Sequence, residues 1–132
     1  MRAALAVLCL ALAACATPPA PCPPGLTPAR AAQLFFGRNI GAKLAVSEAD
    51  WARFAAEEIA PRFPAGFTLR DGAGRYRDKA GALIEEPSKE AMILLTGDPD
   101  EPAKLAAVRA AYKHRFAQES VLLIESAVCA AF

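Results

Sequence analysis

Apolar and polar residues alternate along this chain with two different periods, which divide it into strands and helices. Short apolar runs at residues 32–38 and 121–124 are typical of strands that are buried on both faces. Residues 47–59 and 98–116 instead place an apolar residue at every third or fourth position, which predicts two amphipathic helices. Between the helices, residues 66–97 contain two extended segments joined by a turn, which predicts a long hairpin.

The predicted order of elements is strand, helix, hairpin, helix, strand, or βαββαβ. Because crossovers are right-handed, this order favours a ferredoxin-like α+β sandwich, with two helices on one face of a four-stranded antiparallel sheet of order 4-1-3-2. In the hairpin, Gly72 and Gly74 predict a bulge or a sharp twist, and Pro87 predicts a bulge or an edge position. Ser47 with Asp50 three residues later predicts a capping box at the start of the first helix.

The sheet face away from the helices is also expected to be apolar. Residues 34–36, 92–94 and 122–124 are apolar at consecutive positions, so they point apolar side chains to both faces of the sheet. Two helices cover only one face, and the other would expose a patch on the order of several hundred Å². We therefore expect a homodimer that packs sheet against sheet. The alternatives are a ligand or lipid partner, or a tether or hairpin that folds over this face.

The first 30 residues differ in composition from the rest of the chain. Residues 1–14 combine a positive charge with an apolar run too short to span a membrane, which predicts a signal peptide. Leu-Ala-Ala before Cys15 resembles a bacterial lipobox, so we expect a lipidated Cys15, a proline-rich tether over residues 15–30 and a single domain over residues 31–132. The alternative is an ordinary secretory leader in which Cys15 has no role. Because Ala16 rather than Asp follows the cysteine, the pattern resembles that of outer-membrane lipoproteins facing the periplasm.

Two cysteines would remain after such processing, one near each end of the mature chain. In the predicted topology the last strand runs antiparallel beside the first, so Cys129 would come close to Cys22. Because the periplasm is oxidising, we expect a disulfide between them. The alternative is that the two cysteines remain separate.

The charge balance and the single histidine narrow the range of partners. Lys and Arg number 15 against 14 for Asp and Glu, and loss of Arg2 with the leader leaves 14 of each. This balance gives no reason to expect nucleic acid, so the membrane reached through the lipid is the expected partner besides a second copy. His114 is the only histidine, and no nucleotide-binding or hydrolase motif is present, so we expect neither a metal nor a cofactor.

Polar side chains crowd on the outer half of the predicted hairpin without an evident structural role. The candidate ligand-binding residues are Arg70, Arg75, Arg77, Glu86, Ser88 and Lys89. Bent strands would aim Arg70, Ser88 and Lys89 into one concavity that suits an anion or a carboxylate. The alternative is a solvated arm in which the outer arginines pair across the strands with Glu85 and Glu86. Because Ser88 and Lys89 are adjacent on a strand, they point to opposite faces and cannot form a catalytic dyad with one another.

Four blocks follow one another along the chain: LFFGR, SEADWARFAAEEIAPRFPAGFTLRDGAGRYRD, EEPSKEAMILL and QESVLLIESAVCAAF. In these blocks the sequence resembles a bacterial family of secreted proteins and lipoproteins known as domain of unknown function 3574. The resemblance implies the fold and the location but brings no activity, substrate or cofactor. Our first hypothesis is a non-catalytic envelope lipoprotein whose domain binds a partner or itself through the uncovered sheet face. The second is a small-molecule binder or a small enzyme with a polar pocket at residues 66–97.

Overall fold

The computed structural model describes residues 21–77 and 80–132. The predicted signal peptide at residues 1–14, Cys15 and the tether up to residue 20 lie outside the described residues. The described elements in chain order are β1 (Thr27–Gly37), β2 (Asn39–Ile40), β3 (Lys43–Leu44), α1 (Glu48–Phe54) with a π-helical continuation (Ala55–Ile59), β4 (Thr68–Arg77), β5 (Leu83–Leu95), α2 (Glu101–Phe116) and β6 (Leu122–Ala130).

Four of these strands form one antiparallel sheet in the order β4-β5-β1-β6, and the ferredoxin-like α+β topology predicted from the sequence is confirmed. β1 lies inside the sheet, with β5 on one side and β6 on the other. It begins at Thr27 rather than at residue 32 because the end of β6 supplies a pairing partner, Ala130, at that point. The short strands β2 and β3 form a separate hairpin between β1 and α1.

The β4–β5 hairpin extends beyond the rest of the sheet. Its register is uninterrupted over its whole length, so the bulge predicted from Gly72 and Gly74 is wrong. Neither of these glycines takes a positive φ. Gly72 instead lies where the Ser88 side chain needs room, whereas a Cβ atom on Gly74 would make only an ordinary contact with Glu86. β1 stops pairing with β5 at Ser88, so Pro87 occupies the edge position that the sequence also allowed. We call the part of the hairpin beyond this point, residues 73–87, the arm.

The core lies between the sheet and the helices. Phe36 of β1 is fully buried there, and its ring centroid lies 5.0 Å from that of Trp51 and 4.8 Å from that of Tyr112. Both helices point their predicted apolar stripes into this core. The buried residues of the two stripes are Trp51, Phe54, Ala55, Ile59, Leu105, Val108 and Tyr112.

The ends of the helices follow from local hydrogen bonding. Ser47 caps α1 as predicted, because its Oγ accepts a hydrogen bond of 3.1 Å from the Asp50 N–H. α2 ends at Ala117, which takes the left-handed conformation with a φ of 50°. This turn reverses the chain and directs the segment after α2 back towards the sheet.

A disulfide joins Cys22 to Cys129, as the topology predicts. Their Cα atoms lie 5.7 Å apart, and the bond closes a loop with a sequence separation of 107 residues. Closing so long a loop restricts the unfolded chain, which stabilises the fold by about 2–5 kcal/mol. Within residues 21–77 and 80–132, no helix is both long enough and apolar enough to cross a membrane.

Candidate functional site

The two faces of the sheet differ in what covers them. Side chains alternate between the faces along a strand, and Ala32, Leu34 and Phe36 of β1 point towards the helices. The intervening residues of β1 point to the face without helices, which we call the free face. Exposed apolar side chains lie on this face at Met92, Leu122 and Ile124, which pair with the intervening β1 residues.

A cleft of about 980 Å³ lies at one end of the free face. The end of β1 and the arm form two of its sides, and the segments after β1 and after α2 form the others. The lining residues used below are Phe35, Tyr76, Glu86, Ser88, Glu90 and Leu122. The cleft thus combines apolar and aromatic walls with carboxylates and a hydroxyl.

Glycines on the strands beside β5 make room for two polar side chains of the cleft. Ser88 lies between Gly37 of β1 and Gly72 of β4, which are its direct pairing partners. A Cβ atom on Gly72 would come within 2.7 Å of Ser88 Oγ, and one on Gly37 would come within 2.6 Å of Glu86 Oε1. Any other residue at these two positions would therefore displace Ser88 or Glu86. We call Gly37, Gly72 and Gly74 the glycine floor.

The Glu86 carboxylate lies over the glycine floor with little electrostatic compensation. It accepts a long hydrogen bond of 3.4 Å from the Asn39 N–H. No cationic side chain in the described part of the chain forms a salt bridge with Glu86. This carboxylate is therefore available to a ligand in the cleft.

A second carboxylate, Glu90, borders the cleft but is already engaged. Its Oε1 accepts hydrogen bonds of 2.8 Å from Arg70 Nη2 and 3.2 Å from Gln33 Nε2. The Glu90 side chain keeps only 16% of its surface exposed. Arg70 is thus neutralised on the free face, and this charge-assisted network closes the cleft towards the middle of the sheet.

The wall opposite the arm is held in place by one side-chain hydrogen bond. Gln118 Nε2 donates to the Asn39 backbone carbonyl at 2.9 Å and so joins the segment after α2 to the segment after β1. The left-handed turn at Ala117 brings Gln118 to this position. Both segments border the cleft, so the hydrogen bond sets the width of its opening.

Below the glycine floor, Tyr112 of α2 fixes the end of β1. Its hydroxyl donates to the Gly37 carbonyl oxygen at 2.8 Å. Tyr112 is fully buried, and this burial raises the pKa of its hydroxyl, which keeps it protonated and able to donate. The hydrogen bond holds Gly37 in the position in which it faces Glu86.

Lys89 lies on the opposite face, towards the helices. Its ammonium group donates to Glu48 Oε2 at 2.6 Å and to the Asp71 carboxylate. The hydrogen bond from Lys89 is the largest cause that lowers the pKa of both carboxyls, and the bond to Asp71 is the largest cause that raises the pKa of Lys89. Arg38 also donates to Glu48, at 2.6 Å. This network joins α1 to the sheet and is separate from the cleft.

The structure brings together only some of the candidate residues named from the sequence. Arg75, Arg77, Glu86 and Ser88 line the cleft. Arg70 lies next to the cleft through its bond with Glu90 and is not part of the lining. Arg75 pairs with Glu85 at 3.0 Å, as the solvated-arm alternative predicted, and Arg77 donates to the Gly81 carbonyl at 2.9 Å rather than to Glu86. Lys89 lies on the other face, so Arg70, Ser88 and Lys89 do not come together in one concavity.

Within the described ranges, no group of three or more histidine, cysteine, aspartate or glutamate side chains has the geometry to hold a metal ion. His114 is exposed in the last turn of α2, where a positive charge suits the carbonyl end of the helix.

A family model described as a protein of unknown function, DUF3574, matches residues 31–132. The chain belongs to this family. The match includes every residue of the cleft, so the site is part of the DUF3574 domain and not of the preceding segment. No curated protein is significantly similar to the chain.

Solved structures with the same fold include a phage enzyme and a cyanobacterial protein. A phage SAM lyase in complex with S-methyl-5'-thioadenosine matches with a TM-score of 0.61 and 22% sequence identity, over 79% of this chain and 90% of the lyase. The same enzyme in its apo state gives a TM-score of 0.58 and 21% identity, over 80% and 90% of the two chains. CutA from Synechococcus elongatus gives 0.51 and 11%, over 79% and 80%. At these identities the likeness is one of fold alone.

Several residues that shape the cleft of this DUF3574 protein were not identified from the sequence. They are Gln33, Gly37, Asn39, Glu90 and Gln118. A signal for one of them was present, because Glu86, Ser88 and Glu90 occupy alternate positions of a strand and must share a face. The others come from segments far apart in sequence, and only the register of β1 against β5 brings them to the same place.

Proposed function

We propose that this DUF3574 protein binds a small organic molecule in the cleft on its free face. The observation that carries the proposal is the cleft itself, in which the glycine floor leaves room for the Ser88 hydroxyl and the Glu86 carboxylate to lie against the backbone of the neighbouring strands. Glycine in a strand interior weakens the strand and is typical of a place where a ligand approaches the backbone. Three glycines beside the same two polar side chains favour such an approach.

The composition of the cleft also favours a small molecule. Ligand sites are typically concave, with apolar walls and a few polar groups that fix the orientation of the ligand. Here Phe35, Tyr76 and Leu122 supply the walls, and Ser88 and Glu86 supply the polar groups. No reaction is proposed, because a carboxylate beside a hydroxyl is also found in sites that only bind.

The phage SAM lyase structure suggests a first probe. That protein holds S-methyl-5'-thioadenosine, which shows that a ferredoxin-like domain of similar size accommodates a ligand as large as a nucleoside. The likeness carries no individual residue to this chain. S-methyl-5'-thioadenosine nevertheless matches the cleft in having a flat aromatic part and two ribose hydroxyl groups.

Native mass spectrometry of the mature protein, and titration with S-methyl-5'-thioadenosine followed by NMR, test this proposal. We expect a co-purifying molecule or a saturable shift of resonances around Ser88. Gly72→Val, which fills the space beside the Ser88 hydroxyl, is expected to abolish both. Ser126→Ala, on the same face of β6 but away from the cleft, serves as the control and is expected to change neither. Binding that survives Gly72→Val would contradict the proposal.

We also propose that the protein is a lipoprotein of the cell envelope, anchored through Cys15 and facing the periplasm, with the outer membrane as its destination. The disulfide between Cys22 and Cys129 supports this location, because such bonds persist in oxidising compartments. Mass spectrometry of the membrane fraction is expected to find a mature chain that begins at a lipid-modified Cys15. Replacement by Cys15→Ser is expected to release the protein from the membrane. A mature chain that begins elsewhere would rule out the anchor.

Self-association through the free face is a second candidate function. Met92, Leu122 and Ile124 are 36%, 56% and 43% exposed on this face, and a second copy that packs sheet against sheet would bury them. Sedimentation velocity is expected to show a dimer of the wild-type protein and a monomer of the Ile124→Glu variant. A wild-type protein that remains monomeric at high micromolar concentration would exclude this candidate.

A further inference from the structure

We infer that the ligand of the cleft is an organic cation, with Glu86 as its counter-ion. This inference rests on the proposed function and adds to it the charge of the ligand. It reverses the expectation from the sequence, which favoured an anion or a carboxylate. Three features of the cleft support it: the balance of charges, the position of the Glu86 carboxylate and the aromatic wall.

The balance of charges in the cleft is negative. Three carboxylates, Glu86, Glu90 and Glu119, line it, together with the two arginines Arg75 and Arg77. Two of these charges are paired with residues outside the lining, Glu90 with Arg70 and Arg75 with Glu85. Arg77 keeps its charge but directs its guanidinium group to the Gly81 carbonyl. Among the described lining residues, the carboxylates without an ion pair therefore outnumber the unpaired guanidinium group, which favours a cation over an anion.

The Glu86 carboxylate lies close to the backbone of β1. Gly37 makes this position accessible, because a Cβ atom there would come within 2.6 Å of Oε1. The Asn39 N–H donates to the other oxygen in a long hydrogen bond of 3.4 Å, and the Tyr112 hydroxyl holds the Gly37 carbonyl. The charge therefore lies within the cleft, where a cationic ligand can reach it.

The aromatic wall suits a cation better than it suits a neutral polar ligand. Tyr76 is 50% exposed and pairs with Ile84, so it lies on the same face of the hairpin as Glu86 and close to it in register. Phe35 is half-buried at the other end of the cleft, where it pairs with Glu90. The faces of aromatic rings attract organic cations, and the attraction increases where water is excluded. Leu122 and Ile84 add apolar surface for the carbon substituents of such a cation. A carboxylate with aromatic neighbours is a common arrangement for binding quaternary ammonium groups.

A pair of probes with the same shape but different charge tests the inference. Choline carries a quaternary ammonium group, and 3,3-dimethylbutan-1-ol replaces its nitrogen with carbon and is neutral. Titration of the mature protein followed by NMR is expected to show at least about tenfold tighter binding of choline than of the alcohol. The preference is expected to fall to about twofold or less in Glu86→Gln, which keeps the shape of the side chain. The control is Glu57→Gln, which removes a half-exposed carboxylate on the helical side of the domain, outside the cleft, and is expected to keep the preference.

The outcomes separate this inference from the proposed function. Equal binding of the two probes, failure of choline to bind, or a preference that persists in Glu86→Gln would each overturn the cation assignment. In those cases a neutral ligand such as S-methyl-5'-thioadenosine could still bind and be displaced by Gly72→Val, which would leave the proposed function standing. Thermal unfolding of Glu86→Gln is expected to match that of the wild type, so a loss of preference would not come from a loss of fold.

Discussion

Phe35 and Phe36 are neighbours in the chain, yet they lie in two regions of opposite character. Phe36 is completely buried against Trp51 and Tyr112, whereas Phe35 is half-buried at the rim of an open cleft. The same contrast holds for charges. Lys89, on the covered face, meets two carboxylates, whereas Glu86, on the free face, meets only a distant backbone N–H. The covered face of the sheet therefore stabilises the fold, whereas the free face leaves polar and aromatic side chains available to a ligand.

The difference between the faces comes from small residues rather than from loops. On the covered face, large side chains of β1 interdigitate with both helices. On the free face, glycines replace those side chains at the end of β1 and along β4. A strand can therefore carry a packed core on one side and an open site on the other. The variants below compare the two sides at adjacent positions.

The largest expected effect is that of Phe36→Ala on stability. Removing a fully buried ring leaves a cavity among Trp51, Phe54 and Tyr112, which is expected to cost about 3–5 kcal/mol in the free energy of unfolding. Phe35→Ala removes the same atoms from a half-exposed site and is expected to cost about 1–2 kcal/mol. Chemical denaturation of both variants measures the difference. Equal losses would mean that the free face is packed as tightly as the core, as it would be in a stable dimer. In that case the stability of the protein would decrease on dilution.

The next effect compares Lys89 with Ser88. Lys89→Met keeps the length of the side chain but removes the hydrogen bonds to Glu48 and Asp71, and we expect a loss of about 1–2 kcal/mol in the free energy of unfolding. The loss is moderate because both carboxylates are more than half exposed and regain water. Ser88→Ala is expected to change stability by less than about 0.5 kcal/mol. A larger loss of stability for Ser88→Ala than for Lys89→Met would mean that Ser88 contributes more to the stability of the fold than Lys89 does.

The same network predicts a dependence of stability on pH. Because Lys89 lowers the pKa of Asp71 and Glu48 below their ordinary values of 3.8 and 4.5, the unfolded chain binds protons first as the pH falls. The stabilisation is therefore present above about pH 4.5 and is lost as the pH falls further. The pKa of Lys89 is raised, so its contribution is lost only as the pH rises above 10.5. Lys89→Met is expected to flatten the acid limb in unfolding curves measured from pH 7 to pH 3. An unchanged acid limb would contradict the coupling.

The fold could be predicted from the sequence because the apolar positions in each element are the positions that become buried. The stripe of Trp51, Phe54 and Ile59 has the period of a helix, and it is buried as predicted. The order of the elements is compatible with few topologies. The disulfide expected from the predicted strand order is present. The turn chemistry was less informative. Gly72 and Gly74 have ordinary strand geometry, and the lack of a side chain at Gly72 leaves room for Ser88 instead.

The site could be predicted only in part, because its parts come from different strands. The rule that adjacent residues face opposite ways excluded a dyad of Ser88 and Lys89. The bend that was expected to bring both side chains into one concavity is absent, because the register of the hairpin is regular. The contribution of Gly37 depends on a register of β1 against β5 that no local pattern specifies. The sequence also does not show whether an arginine near a site already has an ion-pair partner. Arg70 was named as a ligand-binding residue, but its bond to Glu90 depends on the pairing of β4 with β5.

The sharpest test of the contrast is Gly37→Ala, for which we expect a small effect on stability and a larger one on binding. The added Cβ would come within 2.6 Å of Glu86 Oε1, but that atom is the end of a flexible side chain and can move away. The φ of Gly37 is not positive, so alanine fits the backbone, and less conformational freedom in the unfolded chain offsets part of the cost. We therefore expect the free energy of unfolding to change by less than about 1 kcal/mol. Binding of choline is nevertheless expected to weaken, because the carboxylate has lost its place at the base of the cleft. A variant that binds as the wild type does would show that the glycine at position 37 serves the sheet and not the site.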